Sequence, residues 1–118
     1  MPIFVTKEVT TIKAREKVEQ LFINDVGQLD SFKKELKGTT FLSELTTILT
    51  YLQHFANGGS VGGRMKYLNN VKDGITEYEF ITKHLRIYAI QQPGKKIIIY
   101  CGRKRKADSS DNIRSFRL

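Results

Sequence analysis

Tryptophan is absent from this chain of 118 residues, cysteine occurs once, and proline, methionine and histidine occur twice each. The single thiol, Cys101, excludes an internal disulfide. Its place at the end of an apolar run reads as a buried structural cysteine, not a reactive one. His54, His84 and Cys101 form no set with metal-ligand spacing, so neither a metal site nor a cofactor is expected. G-x-S-x-G is missing, and Cys101 has no obvious base near it, which argues against nucleophilic catalysis. Apolar runs are too short to span a bilayer. The N-terminus, MPIFVTKEV, has neither the basic segment nor the long apolar core of a signal peptide. The expected setting is a reducing cytoplasm, with no membrane partner.

Acidic residues are scarce as well, 12 against 20 Lys and Arg, for a net charge of +8. The excess is concentrated near the C-terminus. Lys95, Lys96, Arg103, Lys104, Arg105, Lys106, Arg114 and Arg117 face only Asp108 and Asp111 there, a net +6. A clustered cationic surface on a small domain points to a polyanion, nucleic acid foremost. An acidic protein would be drawn by the same field. A hydrophobic content of 40% and an aromatic content of 10% fit one globular domain over 1–118.

Residues 1–16 read as an extended N-terminal arm or edge strand, rich in Val, Thr and Ile. Residues 17–24 fit a strand or a short helix, and the strand is favoured because a turn at Asn24-Asp25-Val26-Gly27 follows. A helix is expected from about Gln28 to Lys37, with Leu29, Phe32 and Leu36 on one face and Gly38 ending it. A second runs from about Thr40 to Asn57, its stripe formed by Phe41, Leu42, Leu45, Ile48, Leu49, Leu52, Phe55 and Ala56. The short join makes the two a helical hairpin. The glycine-rich stretch NGGSVGG at 57–63 reads as a connector, because it lacks the pattern and context of a phosphate cradle. Residues 64–72 lead to a turn at Asp73-Gly74. Three strands follow, at 78–82, 85–90 and 96–101, with Pro93-Gly94 as a tight turn. Ile113 and Phe116 suggest a short C-terminal helix. The expected class is α+β: a helical hairpin packed on a small antiparallel β-sheet.

Two patterns invite a chemical reading. Glu77 and Glu79 share one side of a strand, a spacing that usually marks a solvated face. Arg86 stands among apolar residues on the middle strand, with Tyr88 and Ile90 on its face and Leu85, Ile87 and Ala89 on the other. It is either an exposed residue or an anion receiver. Tyr78, Tyr88 and Tyr100, one on each strand, either stack on bases or pack the core.

The order of elements is similar to that of the RelE/ParE/HigB superfamily of bacterial toxins, the toxin halves of type II toxin–antitoxin pairs. So is a run of local patterns: Lys66-Tyr67-Leu68, Gly74, Tyr78-Glu79-Phe80, Leu85 to Ile90, and Lys95 to Gly102 before a basic block. The resemblance covers roughly residues 17–118. It implies a small basic ribonuclease that enters the ribosomal A site and cleaves mRNA without a metal, the substrate's own 2′-hydroxyl attacking the phosphate. Catalytic roles would fall to Arg86, Lys83, Arg103 and Lys104, and RNA contacts to Lys66, Arg105, Lys106 and Tyr88. A cognate antitoxin protein is the implied partner, along with mRNA and the ribosome. ParE-like relatives bind DNA gyrase and cleave nothing. Two departures stand out. Ile81 occupies a position where many RelE-like members have arginine, with Lys83 as a stand-in. No Tyr or His follows Tyr100 to move protons.

Overall fold

The computed structural model describes residues 2–72, 74–92 and 94–104. Strand β1 (Phe4–Glu8) lies antiparallel to β2 (Lys17–Ile23), with Phe4 opposite Ile23 and Glu8 opposite Glu19. Asn24 and Asp25 then take positive φ, 49° and 66°. Two consecutive left-handed residues make the tight turn whose twist suits a hairpin. The turn folds β3 (Val26–Gly27) back on β2, so that Val26 meets Ile23.

Helices α1 (Gln28–Leu36) and α2 (Phe41–Ala56) follow. Gly38, at φ 81°, breaks the first. The Thr39 hydroxyl joins the two, donating to the Leu36 carbonyl at 2.6 Å and accepting from the Phe41 amide at 3.2 Å. The 57–63 connector is tied down at its start. Asn57 Oδ1 accepts from the Arg15 amide at 2.9 Å, and the Glu16 amide donates to the Ala56 carbonyl at 3.0 Å. The β1–β2 connection thus lies against the C-terminal end of α2.

A short 3-10 turn (Gly62–Arg64) leads into β4 (Met65–Lys72). Strands β5 (Ile75–Ile81), β6 (Leu85–Gln92) and β7 (Lys96–Lys104) complete an antiparallel meander. All seven strands belong to one sheet, in the order β1-β2-β7-β6-β5-β4, with β3 paired to β2. β2 and β7 run parallel, Lys17 opposite Lys96 through Gln20 opposite Ile99.

This overturns the expected small antiparallel sheet. The sheet has seven strands and is mixed. Residues 65–72, read from sequence as a lead-in to a turn, form a full strand. Its register shifts after Tyr67 and again after Asn70, which blurs the alternation that would have marked it. The parallel pair joins segments some eighty residues apart, and no local pattern announces it. The expected C-terminal helix lies outside the described residues.

The helices cover one face of the sheet. Leu29, Phe32, Leu36, Leu45, Ile48, Leu52 and Ala56 pack on Val18, Phe80, Leu85, Ile87, Ala89, Ile97 and Ile99, and most of these are fully buried. A smaller cluster of Leu21, Tyr88, Ile98, Tyr100 and Cys101 forms on the opposite face, joined by Ile23, Leu68 and Ile90. No helix among the described residues is long and apolar enough to cross a membrane.

Candidate functional site

A bulge in β7 decides which side chains reach the face opposite the helices. Tyr88 pairs with Cys101 but Ala89 pairs with Ile99, which leaves Tyr100 as the extra residue. A bulge of this kind turns two successive side chains to the same side and re-aims everything beyond it. Tyr100 and Cys101 both join the second cluster. Gly102 then faces the helices, where a Cβ would meet the Phe32 ring at 2.3 Å. Arg103 pairs directly with Arg86, so the two arginines share the helix-free face. Lys104 pairs with Leu85, a core residue of the helix side.

Register extends the arrangement across the meander. Lys66 pairs with Glu79, Glu79 with Tyr88, and Tyr88 with Cys101. One row on the helix-free face therefore reads Lys66, Glu79, Tyr88, Cys101. Ile81, Arg86 and Arg103 form the next row, and Glu77 and Ile90 lie in the row on the other side.

The chemistry of this patch is an inward-drawn acid–base network. Arg86 Nη1 donates to Glu79 Oε2 at 2.5 Å, with the two side chains only 12% and 3% exposed. The Tyr100 hydroxyl donates to Glu77 Oε2. Both carboxylates are buried, so the solvated face read from their spacing is wrong. Cross-strand partners on β6 and β7 take the place of water. The Tyr88 hydroxyl lies beside Glu79 and Arg86. Burial first, and then its hydrogen-bonding and charge interactions with Glu79, push its ionisation far above that of an ordinary phenol. Arg86 Nε and the Tyr88 hydroxyl are both buried without a well-aligned hydrogen-bond partner among the described residues. Burial likewise pushes the Cys101 thiol up to about 11, opposed only weakly by Arg103. A buried thiol raised in this way fits the structural reading of that cysteine.

The residues implied by resemblance divide into groups. Lys66, Arg86, Tyr88 and Arg103 come together on this face. Lys104 does not: its ammonium sits 5.9 Å from the centroid of the Phe41 ring, on the helix side. Lys83 does not either. It projects from the two-residue turn between β5 and β6 and lines a cleft beside α2. Arg105 and Lys106 lie outside the described residues. Arg86 is not the exposed residue its flanks allowed: Glu79 holds it and its side chain is only 12% exposed. Glu77, Glu79 and Tyr100 were not singled out as site residues. A period-two reading of β5 against β6 places Glu79 near Tyr88, but only cross-strand register brings Glu77 under Tyr100.

No group of three or more His, Cys, Asp or Glu among the described residues is placed to hold a metal ion. Comparison with protein-family models, with curated proteins and with solved structures returns no match.

Proposed function

We propose that this chain acts on RNA as a toxin of the type II toxin–antitoxin kind, a metal-independent endoribonuclease that works on ribosome-bound mRNA. The observation that supports the reading is the register that sets Arg86 opposite Arg103, on the face that also carries Lys66. Guanidinium groups suit phosphate oxygens, which they can hold bidentately. In this reading Glu79 aims the guanidinium, and Arg86 and Arg103 hold the scissile phosphate. The 2′-oxygen forms a bond to phosphorus as the P–O5′ bond breaks. The 2′-proton leaves to a base and the 5′-oxygen takes up a proton. Fixed cations aimed at the developing charge carry most of the acceleration. An antitoxin would cover the same cationic face.

A second reading has its own observation. Glu79 neutralises Arg86, and both side chains are nearly buried, as in a structural ion pair. That favours a non-enzymatic binder, of DNA gyrase for instance.

Primer extension on an abundant mRNA, after induced expression in a bacterial host, separates the two. Arg86→Ala alone would leave Glu79 buried and unpaired. The informative variant is therefore Glu79→Leu/Arg86→Met, which removes both charges together. Ribonuclease action predicts new mRNA 5′ ends, reduced by about 100-fold or more in this double variant, while its circular dichroism stays native. Growth arrest with intact mRNA, or cleavage undiminished in the folded double variant, would overturn the nuclease.

A further inference from the structure

A second concentration of polar chemistry lies away from the arginine face, where α2 passes the β5–β6 turn. There an open cleft of about 580 Å³ is lined by Glu44, Thr47, Tyr51, Gly63, Arg64, Ile81, Thr82 and Lys83. Its two cations come from different elements. Arg64 ends the 3-10 turn after the glycine-rich connector. Its Nε donates to the Tyr51 hydroxyl at 3.0 Å, and its guanidinium carbon stands 5.5 Å from the centroid of the Tyr51 ring. The side chain is thus held by one edge and one face, and remains exposed. Lys83, also exposed, comes from the turn between two strands. That turn is fixed by a hydrogen bond from the Thr82 amide to the Leu85 carbonyl at 3.0 Å.

The one carboxylate in the lining does not oppose an anion as its charge suggests. Glu44 Oε1 accepts from the His84 amide at 2.6 Å, and Oε2 lies 3.0 Å from His84 Nδ1. Burial alone would raise the Glu44 ionisation. Hydrogen bonds from the Thr82 side chain and from the His84 amide and ring outweigh it, and the group is held below its usual range. Both oxygens are therefore turned toward His84. The same contact fixes the imidazole, which also packs on the Phe41 ring at 5.0 Å between centroids. With Nδ1 engaged, Nε2 points away from Glu44, on a side chain that is 43% exposed. The charged groups around the ring are Glu44 on α2, Lys83 in its own turn, and Lys104 of β7, which approaches the far partner Phe41.

We propose that this cleft binds a phosphate group, gripped by Arg64 and Lys83. Two cations from separate walls and a glycine that lets backbone approach suit a phosphate dianion. The shared chemistry is that of a phosphate, free or at the end of a nucleic-acid strand. The proposal does not rest on the nuclease reading, because it concerns different residues and a binding readout.

The test is an NMR titration of the full chain with inorganic phosphate, followed by fluorescence anisotropy with an RNA octamer carrying either a 5′-phosphate or a 5′-hydroxyl. Phosphate is expected to shift the Gly63, Thr82, Lys83 and His84 resonances saturably. Arg64→Ala/Lys83→Ala should weaken this at least tenfold, and Lys37→Ala, at the exposed end of α1, should not change it. Tighter binding of the 5′-phosphorylated octamer, lost in the double variant, would assign the phosphate to a strand end. Equal binding of both octamers, with saturable phosphate shifts, would assign it to a free phosphate. Absent or non-saturating shifts, or shifts that persist in the double variant, would overturn the site.

Discussion

Glu79 and Arg86 are close to the limit of what a small domain can bury as charge, with the whole of Glu79 only 2% exposed. Removing two ions from water is costly, and the pair is tolerated because each ion sees the other at hydrogen-bond range. The consequence is asymmetric. Losing Arg86 leaves a bare carboxylate between strands, whereas losing both members leaves an apolar gap that methionine and leucine fill. Arg86→Ala should therefore lower unfolding stability by about 3–5 kcal/mol, and Glu79→Leu/Arg86→Met by much less, or not at all. Urea unfolding followed by circular dichroism measures both. Equal losses in the two variants would mean that Arg86 contributes by packing, not by charge compensation. The single residue Arg86 was conspicuous in the sequence because a cation rarely sits between Leu85 and Ile87. Its partner was not, because Glu79 is seven residues away and reaches it only through the β5–β6 pairing.

At the scale of elements, helix α1 shows how a strand can start a helix. Its N-cap is Gly27, which has no side chain to offer the first amides. Gln20 of β2 supplies the acceptor: its Oε1 takes hydrogen bonds from the Leu29 and Asp30 amides, both at 3.0 Å. Gly27 also leaves the space, since a Cβ there would stand 2.7 Å from that oxygen. Gln20 is buried, so nothing else replaces it in a shortened side chain. Gln20→Ala should cost about 1–3 kcal/mol, the range for stranding buried donors. Loss of protection in the Leu29 and Asp30 amides by hydrogen exchange would locate the damage. Unchanged exchange there would show that another group caps the helix.

The two helices were legible in the sequence because 3.6-residue spacing survives any tertiary context, and the observed ends differ from the expected ones by a residue. The strands expected at 85–90 and 96–101 were legible from their apolar and β-branched runs, and are observed two and three residues longer. What the pattern could not carry was the bulge at Tyr100. Strict alternation from Ile97 puts Cys101 and Arg103 on the helix side and Lys104 on the open side. One extra residue reverses all three, and with them the membership of the candidate site. The Glu44–His84 clamp was equally hidden, since forty residues separate the two.

The whole molecule is held together by a pairing that spans most of its length. β2 lies near the beginning of the chain and β7 at the end of the described residues, yet they are neighbours inside the sheet. Both helices stand between them in sequence and cover the meander that comes later. Neither half can complete a core alone. Residues 1–61 would carry α1 and α2 with Leu45, Ile48 and Leu52 bare of their sheet. Residues 62–118 would carry β4 to β7 with Phe80, Leu85, Ile87 and Ile99 uncovered. The glycine-rich connector between them is mostly exposed, and a break there removes few contacts. Separately expressed fragments 1–61 and 62–118 should therefore each lack cooperative unfolding and dispersed NMR amides. Mixed in equal amounts, they should regain a single cooperative transition at a lower midpoint than the intact chain, because association now carries an entropy cost that the connector had removed. A folded fragment 62–118 on its own would mean that the meander closes its own core, and that the parallel β2–β7 pair and the helices are additions to it, not its foundation.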